Sequence, residues 1–404
     1  MGQHLISFFK ARKLLLNSLY TLEEIEVPLK ESIFYVLSRD IYSTIDLPVF
    51  TNSAMDGYAL CFEKFKKGDR FKVTGEIKAG DYKKVKLKEG EAFRVFTGSP
   101  LPENTTSVVM QEFVEKEGDY IIVKKDLKKG ENIRYKGEEI KKGKLVLKKG
   151  EVLNPNSIGL LSMLGIEKVR VIRRPKVFIV VTGNEVIKPG EKLVPGKIYD
   201  ANSFSLYSSL RSLNISDIEI RYVGDNFEEI RNNFYEGLLS YDLIIFSGGI
   251  SVGDYDIVRE LFIREGVEKV FYKVAQKPGK PLFFGKKGKS LIFGLPGNPF
   301  AALFCFYEYI YPAVRKMSGF KDIFLPEKRL ILLKDIKKKN DRAYFLKGKI
   351  YKDGVLPLKY QESHMLSSLI KGDCLIFAPK SKTLIKKGEK IKVHLLPNFY
   401  KKLI

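Results

Sequence analysis

An α/β protein of several domains is what this sequence predicts: a doubly wound α/β domain joined to an elongated helical domain, an inserted β domain and a C-terminal β-barrel. Three observations predict it. Between Val177 and Phe246, short β-branched runs alternate with helical spacings, the rhythm of a parallel sheet covered on both faces. Residues 50–142 carry short β-rich runs divided by Gly, Pro and Asp turns, and that style returns after Leu325. Between Tyr241 and Asn298, three apolar runs end in Gly- and Pro-rich turns, which α/β sheets gather at the carboxyl ends of their strands, where ligands bind.

Taken in order, Ser7–Tyr20 and Pro28–Ser43 show helical spacing; in the second, Ile33, Val36, Leu37 and Ile41 fall on one face. Leu47-Pro48 and Thr51-Asn52-Ser53 end that pattern. Strands are predicted at Phe71–Ile77, Phe93–Phe96, Ser107–Phe113 and Tyr120–Lys124. Helical spacing returns over Leu145–Gly165, with Asn154-Pro155 as its start and Gly165 as its stop. Segments 7–46 and 143–172 are expected to pack together as the discontinuous helical domain, with 47–142 inserted between them as the β domain. Arg173-Arg174-Pro175 opens the α/β domain, 173–322, with strands at Val177–Val181, Ile218–Val223 and Leu243–Phe246. Its helices are predicted at Ser203–Leu213 and Phe227–Leu239. A closing helix, Asn298–Ser318, is expected to kink or break near Pro312. Residues 323–404 read as a small β-barrel or sandwich.

Hydrophobic residues make up 44% of the 404, enough for sizeable cores and too many for a disordered chain. Cys61, Cys305 and Cys374 are odd in number and far apart, which predicts reduced thiols in a cytoplasmic protein. His4, His364 and His394 lack the spacing of a zinc site. No signal peptide is predicted, since Lys10, Arg12 and Lys13 interrupt the first apolar stretch, and no run approaches the roughly 18 apolar residues of a membrane span. The formal net charge is +23. A polyanionic partner such as nucleic acid is one reading of it. Lysines spread along the whole chain, in pairs such as Lys83-Lys84, Lys128-Lys129 and Lys386-Lys387, fit a solvated surface of the thermophilic kind better. No nucleic-acid or membrane partner is expected, and the charge would steer a small anionic substrate.

Several turns carry residues suited to chemistry. Asp56-Gly57 places a carboxylate on a tight turn, free to hold a cation or merely to form an ordinary turn. Thr97-Gly98-Ser99 offers a hydroxyl and backbone N–H groups to an oxyanion. Gly137-Glu138-Glu139 is a surface turn or a further acidic contact. Glu185, in the loop after the first α/β strand, could hold a hard cation such as Mg²⁺, which takes one or two carboxylates plus substrate oxygens. Asp225 and Asp256 are expected on the same sheet edge, Asp256 alternatively as a helix cap. Asp200 reads as a cap or turn residue. Gly248 and Gly249 let backbone N–H groups face an anion, beside Lys277 and Lys280. A divalent ion bridging carboxylates to phosphate would suit phosphoryl-type chemistry.

These stretches, SAMDGYA, FTGSPLP, GEEI, TGNEV, SGGISVGDYD, KPGKP and LPGNP, stand in the order found in the MoeA/gephyrin E-domain family, the molybdopterin molybdenumtransferases, and ESHMLSSL at 362–369 is similar to that family's C-terminal motif. The resemblance spans essentially the whole chain. It implies a MogA-like α/β domain, and homodimers with sites in a cleft between subunits. It also implies an enzyme that takes adenylylated molybdopterin and molybdate or tungstate, uses Mg²⁺, and releases AMP and the molybdenum cofactor. An adenylyltransferase would supply the substrate. Carried over residue by residue, Asp56, Thr97, Glu139, Glu185, Asp225 and Asp256 match functional positions, with Asp56 and Glu185 expected on the metal. Ser251, Lys273, Lys277, Pro296 and Pro299 match the substrate cleft. Thr51 and Asn184 stand where Asp is frequent, Glu139 where Asp is usual, and Gln276 where an aliphatic residue is usual. The other readings of the sequence are a molybdopterin adenylyltransferase, whose fold the α/β domain alone resembles, and a non-catalytic scaffold that binds anions or nucleic acid.

Overall fold

The computed structural model describes residues 5–250, 256–339 and 342–397. The chain forms two compact units. One holds the chain up to Glu26, Phe34–Ser38 and everything from Arg170 onward; the other holds Val27–Ile33 and Arg39–Val169.

The chain enters the first unit through helix α1 (Phe8–Ser18). Ser7 caps it, its side chain accepting from the Lys10 N–H at 3.2 Å. Phe8, Ala11 and Leu15, at spacings of three and four, are buried in that unit's main core. Burying side chains the size of Phe8 and Leu15 contributes about 1.5–3 kcal/mol each.

No α-helix forms over 28–43, against the sequence expectation. Leu29–Glu31 make a single 3-10 turn, Phe34 is left-handed at φ 58°, and Ile41–Tyr42 are a short strand. The backbone is drawn straight by neighbours: Leu37 bridges Val171, and the Ser38 N–H donates to the Arg170 carbonyl at 3.1 Å. Val36 and Leu37 are still buried, so the apolar pattern marks a core but not its backbone period.

The second unit centres on six strands: β1 (Gly57–Leu60), β2 (Arg70–Ile77), β3 (Glu91–Val95), β4 (Ser107–Met110), β5 (Val114–Glu117) and β6 (Tyr120–Val123). Their order is β4–β1–β3–β2–β6–β5, antiparallel except where β2 lies beside β3. Side chains alternate between two small cores, Tyr58 and Leu60 on one face, Ala59 on the other. The strand expected to reach Phe113 stops at Met110, and Gln111–Phe113 make a 3-10 turn. The helix expected from Leu145 starts later. Leu145–Leu147 pair with Ile41–Tyr42 as strands, and α2 spans only Pro155–Met163. Asn154 and Ser157 close a reciprocal capping box, and Gly165 follows the helix at φ 73°.

The α/β domain follows the predicted rhythm. Its strands are β7 (Val177–Thr182), β8 (Ile218–Val223), β9 (Leu243–Ser247), β10 (Glu268–Tyr272), β11 (Phe283–Lys287) and β12 (Ser290–Leu295), in the order β8–β7–β9–β12–β11–β10. The first four in that order are parallel, β11 runs antiparallel to both of its neighbours, and β10 points the same way as the first four. Helices α3 (Asn202–Ser212), α4 (Phe227–Ser240) and α5 (Ile257–Arg264) lie between strands. Val177, Ile179 and Val181 join the core that holds α1 and α3; Phe178 and Val180 join the core of α4 and α5. Burial on both faces is why β7 reads as a continuous apolar run. The closing helix is irregular, as expected. It divides into α6 (Pro299–Cys305), a π turn at Phe306–Ile310 and α7 (Tyr311–Met317). Pro312 has no N–H to return to residue 308, and the π turn sits where that bond is missing.

Five strands close the C-terminal barrel: β13 (Glu327–Leu332), β14 (Ala343–Tyr351), β15 (Gly354–Pro357), β16 (Cys374–Ala378) and β17 (Lys390–Leu395). They run β14–β15–β13–β17–β16 and back to β14. Gln276 and Lys277 of the α/β domain pair in parallel with Ala343 and Tyr344 at the start of β14.

Candidate functional site

The carboxyl edge of the α/β sheet collects five turns. The chain leaves β7 to one side for β8, then returns past it to β9 on the other side, so the topological switch lies between β7 and β9. There Gly248 (φ 96°) and Gly249 (φ 65°) lie against the end of β7. A Cβ on Gly248 would stand 2.7 Å from the Thr182 carbonyl oxygen, and one on Gly249 2.5 Å from Val258 Cγ2. Only glycine fits. The Thr182 hydroxyl beside them is buried without a hydrogen-bond partner among the described residues. Ser251, expected in the substrate cleft, lies outside the described residues.

Glu185 sits at this edge with its exposed carboxylate folded over Gly183; a Cβ on Gly183 would meet Glu185 Oε2 at 2.6 Å, at φ 123°. Asn184 and Asp225 bond reciprocally. The Asn184 N–H donates to Asp225 Oδ2 at 3.0 Å, and the Asp225 N–H to Asn184 Oδ1 at 3.1 Å. This lock ties the ends of β7 and β8 and gives Asn184 a neutral structural role. Asp256 caps α5, its Oδ1 accepting from the Arg259 N–H at 3.0 Å. Burial pushes its carboxyl above the usual range, against the pull of that N–H, Arg259 and the Tyr272 hydroxyl. Asp200 is buried and accepts from the Ser203 N–H at 3.1 Å and the Tyr222 hydroxyl at 2.8 Å, which confirms it as an anchor for the start of α3. Among the described residues, no three His, Cys, Asp or Glu side chains gather as a metal-holding group.

The second of the three Gly- and Pro-rich turns follows β10, which is antiparallel to β11 and so runs in the same direction as β12. It belongs to the excursion between β10 and β11, and reaches the same edge because β11 runs antiparallel to β12, pairing Phe283 with Gly294. Lys273 begins it, left-handed at φ 63°, its N–H on the Leu282 carbonyl at 3.0 Å. Gln276 is wholly buried and holds the turn from inside, donating to the Gly279 carbonyl at 2.9 Å and accepting from the Tyr309 hydroxyl at 2.6 Å. The Lys277–Pro278 peptide is cis, and Lys277 Nζ stands 5.2 Å from the Tyr344 ring centroid.

This turn forms one wall of a cleft of roughly 450 Å³ between the α/β domain and the barrel. Pro296 and Asn298 form a second wall; Pro299 is the first residue of α6 behind them. From the barrel come Lys337, Lys339, Arg342, Tyr344, Gln361 and Ser363. Five cations, with Lys277 and Lys280, line it, and no carboxylate does so among the described residues. Such a lining suits an anion with several oxygens. The barrel residues were not singled out from sequence, although the Lys337-Lys338-Lys339 run and the ESHMLSSL stretch carried the signal.

In the second unit, Asp56 and Thr97 meet. Asp56 Oδ1 accepts from the Thr97 N–H at 2.7 Å and the Thr97 hydroxyl at 2.8 Å. Those two bonds hold the exposed carboxyl below the usual carboxylate range, with Arg94 adding to the effect. The loops are zipped behind them: the Ser53 N–H donates to Ser99 O at 3.0 Å and the Gly98 N–H to Ser53 O at 2.8 Å. Gly57 has no room for a Cβ, which would overlap the Val109 carbonyl at 1.8 Å. Thr51 Oγ1 accepts from the Lys136 N–H at 3.2 Å. Glu139 is exposed, its backbone N–H on the Leu47 carbonyl at 3.0 Å.

Comparison with known proteins agrees along the chain. Residues 6–165 match the MoeA N-terminal region (domain I and II), 178–316 a probable molybdopterin binding domain, and 329–396 the MoeA C-terminal region (domain IV). A molybdopterin molybdenumtransferase from Haemophilus influenzae is 34% identical over 379 residues, 91% of this chain and 94% of that one. One from Staphylococcus epidermidis is 31% identical over 400 residues, 96% and 95% of the two chains. A crystal structure titled molybdopterin biosynthesis MoeA protein from Pyrococcus horikoshii superimposes with a TM-score of 0.83 at 30% identity, covering 98% of this chain and 100% of its own. By sequence over nearly its whole length and by fold, this chain belongs to the MoeA family.

Proposed function

We propose that this enzyme, a MoeA-family transferase of molybdenum cofactor biosynthesis, takes adenylylated molybdopterin and molybdate or tungstate, and with Mg²⁺ releases AMP and the molybdenum cofactor. The observation that carries this reading is the cleft lined by Lys277, Lys280, Lys337, Lys339 and Arg342 without a carboxylate among the described residues. A tetrahedral oxyanion needs such cations and has no use for acid groups. The acidic groups stand elsewhere, on the turns at Asp56, Glu185 and Asp225, where a phosphate would need a bridging cation. The family's homodimer, and an adenylyltransferase as the source of substrate, belong to the same proposal.

Asp56 and Glu185 fit Mg²⁺ by the chemistry of their donors. Both are exposed carboxylates with hard oxygens, and Mg²⁺ is usually held by one or two such groups plus substrate phosphate and water. Thr97 keeps Asp56 ionised and turns Oδ1 inward, which leaves Oδ2 for a cation. When bound, the ion would neutralise phosphate charge as the phosphoanhydride bond to AMP breaks. Gly248 and Gly249 bring backbone close to the ligand, and Lys277 and Lys280 hold the oxyanion. Asp56→Asn and Glu185→Gln are each expected to abolish molybdate-dependent AMP release from adenylylated molybdopterin, with circular dichroism unchanged. Full activity in both variants would overturn the proposal.

A further inference from the structure

Lys347, on β14, is the one lysine among the largest wholly buried side chains of the described residues. Its ammonium donates to the carbonyls of Met365 at 2.6 Å, Tyr360 at 2.7 Å and Glu362 at 3.4 Å, and lies 4.3 Å from the Phe300 ring centroid. Its backbone is engaged as well. The Lys347 N–H donates to Gln361 Oε1 at 2.8 Å, and Gln361 Nε2 donates back to the Lys347 carbonyl at 2.9 Å. All five bonds reach residues 360–365, which form neither helix nor strand. The outer side of that strap gives Gln361 and Ser363 to the cationic cleft. The strap is also tied to the third turn of the sheet edge: Asn298 Nδ2 donates to Ser363 Oγ at 2.9 Å, and the Phe300 N–H to Ser363 O at 2.9 Å.

We propose that Lys347 is a positioning residue for the oxyanion: its buried ammonium gathers three carbonyls and so fixes the strap that brings Gln361 and Ser363 to the cleft. A methionine would fill the same space without burying a charge. Burial pushes the ammonium down to about 8, with Glu362 pulling it back up, so the charge is held at a cost. What the charge supplies in return is direction, since one Nζ can point donors at three carbonyls and an apolar chain cannot. The strap carries few other main-chain bonds, so its course depends on this clamp. The inference rests on the reading of the cleft as the oxyanion site.

The test uses the full-length enzyme with Lys347→Met, Lys347→Gln, Ser363→Ala and Lys277→Ala. KM and kcat for molybdate are measured with hydrogen exchange over 358–366 and a denaturation curve. Lys347→Met is expected to raise the molybdate KM tenfold or more, with a smaller change in kcat, and to speed exchange in the strap. Lys347→Gln, which keeps two of the three donors and buries no charge, is expected to fold and fall between wild type and Lys347→Met; it carries the test if Lys347→Met does not fold. A wild-type molybdate KM in the folded Lys347 variants, with Ser363→Ala raised, would overturn the role of Lys347 alone. An unchanged KM in Ser363→Ala and in Lys277→Ala together would overturn the cleft reading, and the inference with it.

Discussion

Gln276→Leu tests how the cationic turn is held. Leucine has nearly the volume of glutamine, so little of the effect would be a cavity. What the change removes is two hydrogen bonds at a wholly buried position, leaving the Tyr309 hydroxyl and the Gly279 carbonyl without partners. An orphaned buried polar group costs about 1–3 kcal/mol, so with two of them the variant should lose roughly 2–6 kcal/mol locally. In a Tyr309→Phe background one orphan is gone beforehand. There the same substitution should cost only about 1–3 kcal/mol, a coupling read from a double-mutant cycle. A chain of two units need not unfold in one step, so the assay is hydrogen exchange at the amides of 273–282. Molybdate KM, measured alongside, should rise because Lys277 and Lys280 stand on this turn. Unchanged protection in Gln276→Leu, or equal effects in both backgrounds, would refute the reasoning.

Two further outcomes are expected. Gly183→Ala would set a methyl 2.6 Å from Glu185 Oε2 at φ 123°, so the carboxylate must swing away. Strain of about 1–3 kcal/mol and loss of most Mg²⁺-dependent activity should follow, read by denaturation and by magnesium titration of the rate. Thr97→Val removes a hydroxyl bond from Asp56, whose carboxyl Thr97 now holds below the usual range. Its titration, followed by NMR, should move up toward that range. Because a lowered carboxylate pKa favours the folded state above the unfolded pKa and loses that favour as pH falls, the variant should lose stability above the carboxylate range and fall off less steeply than wild type as pH drops through it.

The α/β domain was legible because its parallel strands are buried on both faces and its helices keep one apolar side. Asn154-Pro155 and Gly165 marked both ends of α2 for the same local reason, since caps are chosen by backbone groups a few residues away. Residues 28–43 misled because Val36 and Leu37 are laid beside Ile172 and Val171, far along the chain, which no local period can encode. The three carboxylates Glu185, Asp225 and Asp256 were visible as residues on turns. Their geometry was not: the Asn184–Asp225 lock and the burial of Asp256 depend on neighbours far along the chain. The barrel side of the cleft was hidden because Lys337, Lys339 and Arg342 look like the many surface lysines around them. They become neighbours of Lys277 only through the pairing of Gln276 and Lys277 with Ala343 and Tyr344. Lys347 was hidden in the same way, as an unremarked lysine in a strand.

The placement of α1 has a consequence for synthesis. Phe8 lies with its ring centroid 4.7 Å from that of Phe345, so the first helix finishes packing against a strand from the last fifth of the chain. At about 5–20 residues per second, a ribosome adds Phe345 roughly 20 to 70 seconds after Phe8. For that interval Phe8, Ala11 and Leu15 offer an oily stripe to whatever waits at the exit tunnel, while the inserted β-sheet has already emerged and can close. A nascent chain stalled before residue 343 should therefore be held by a chaperone at its amino end, and released once the barrel is complete.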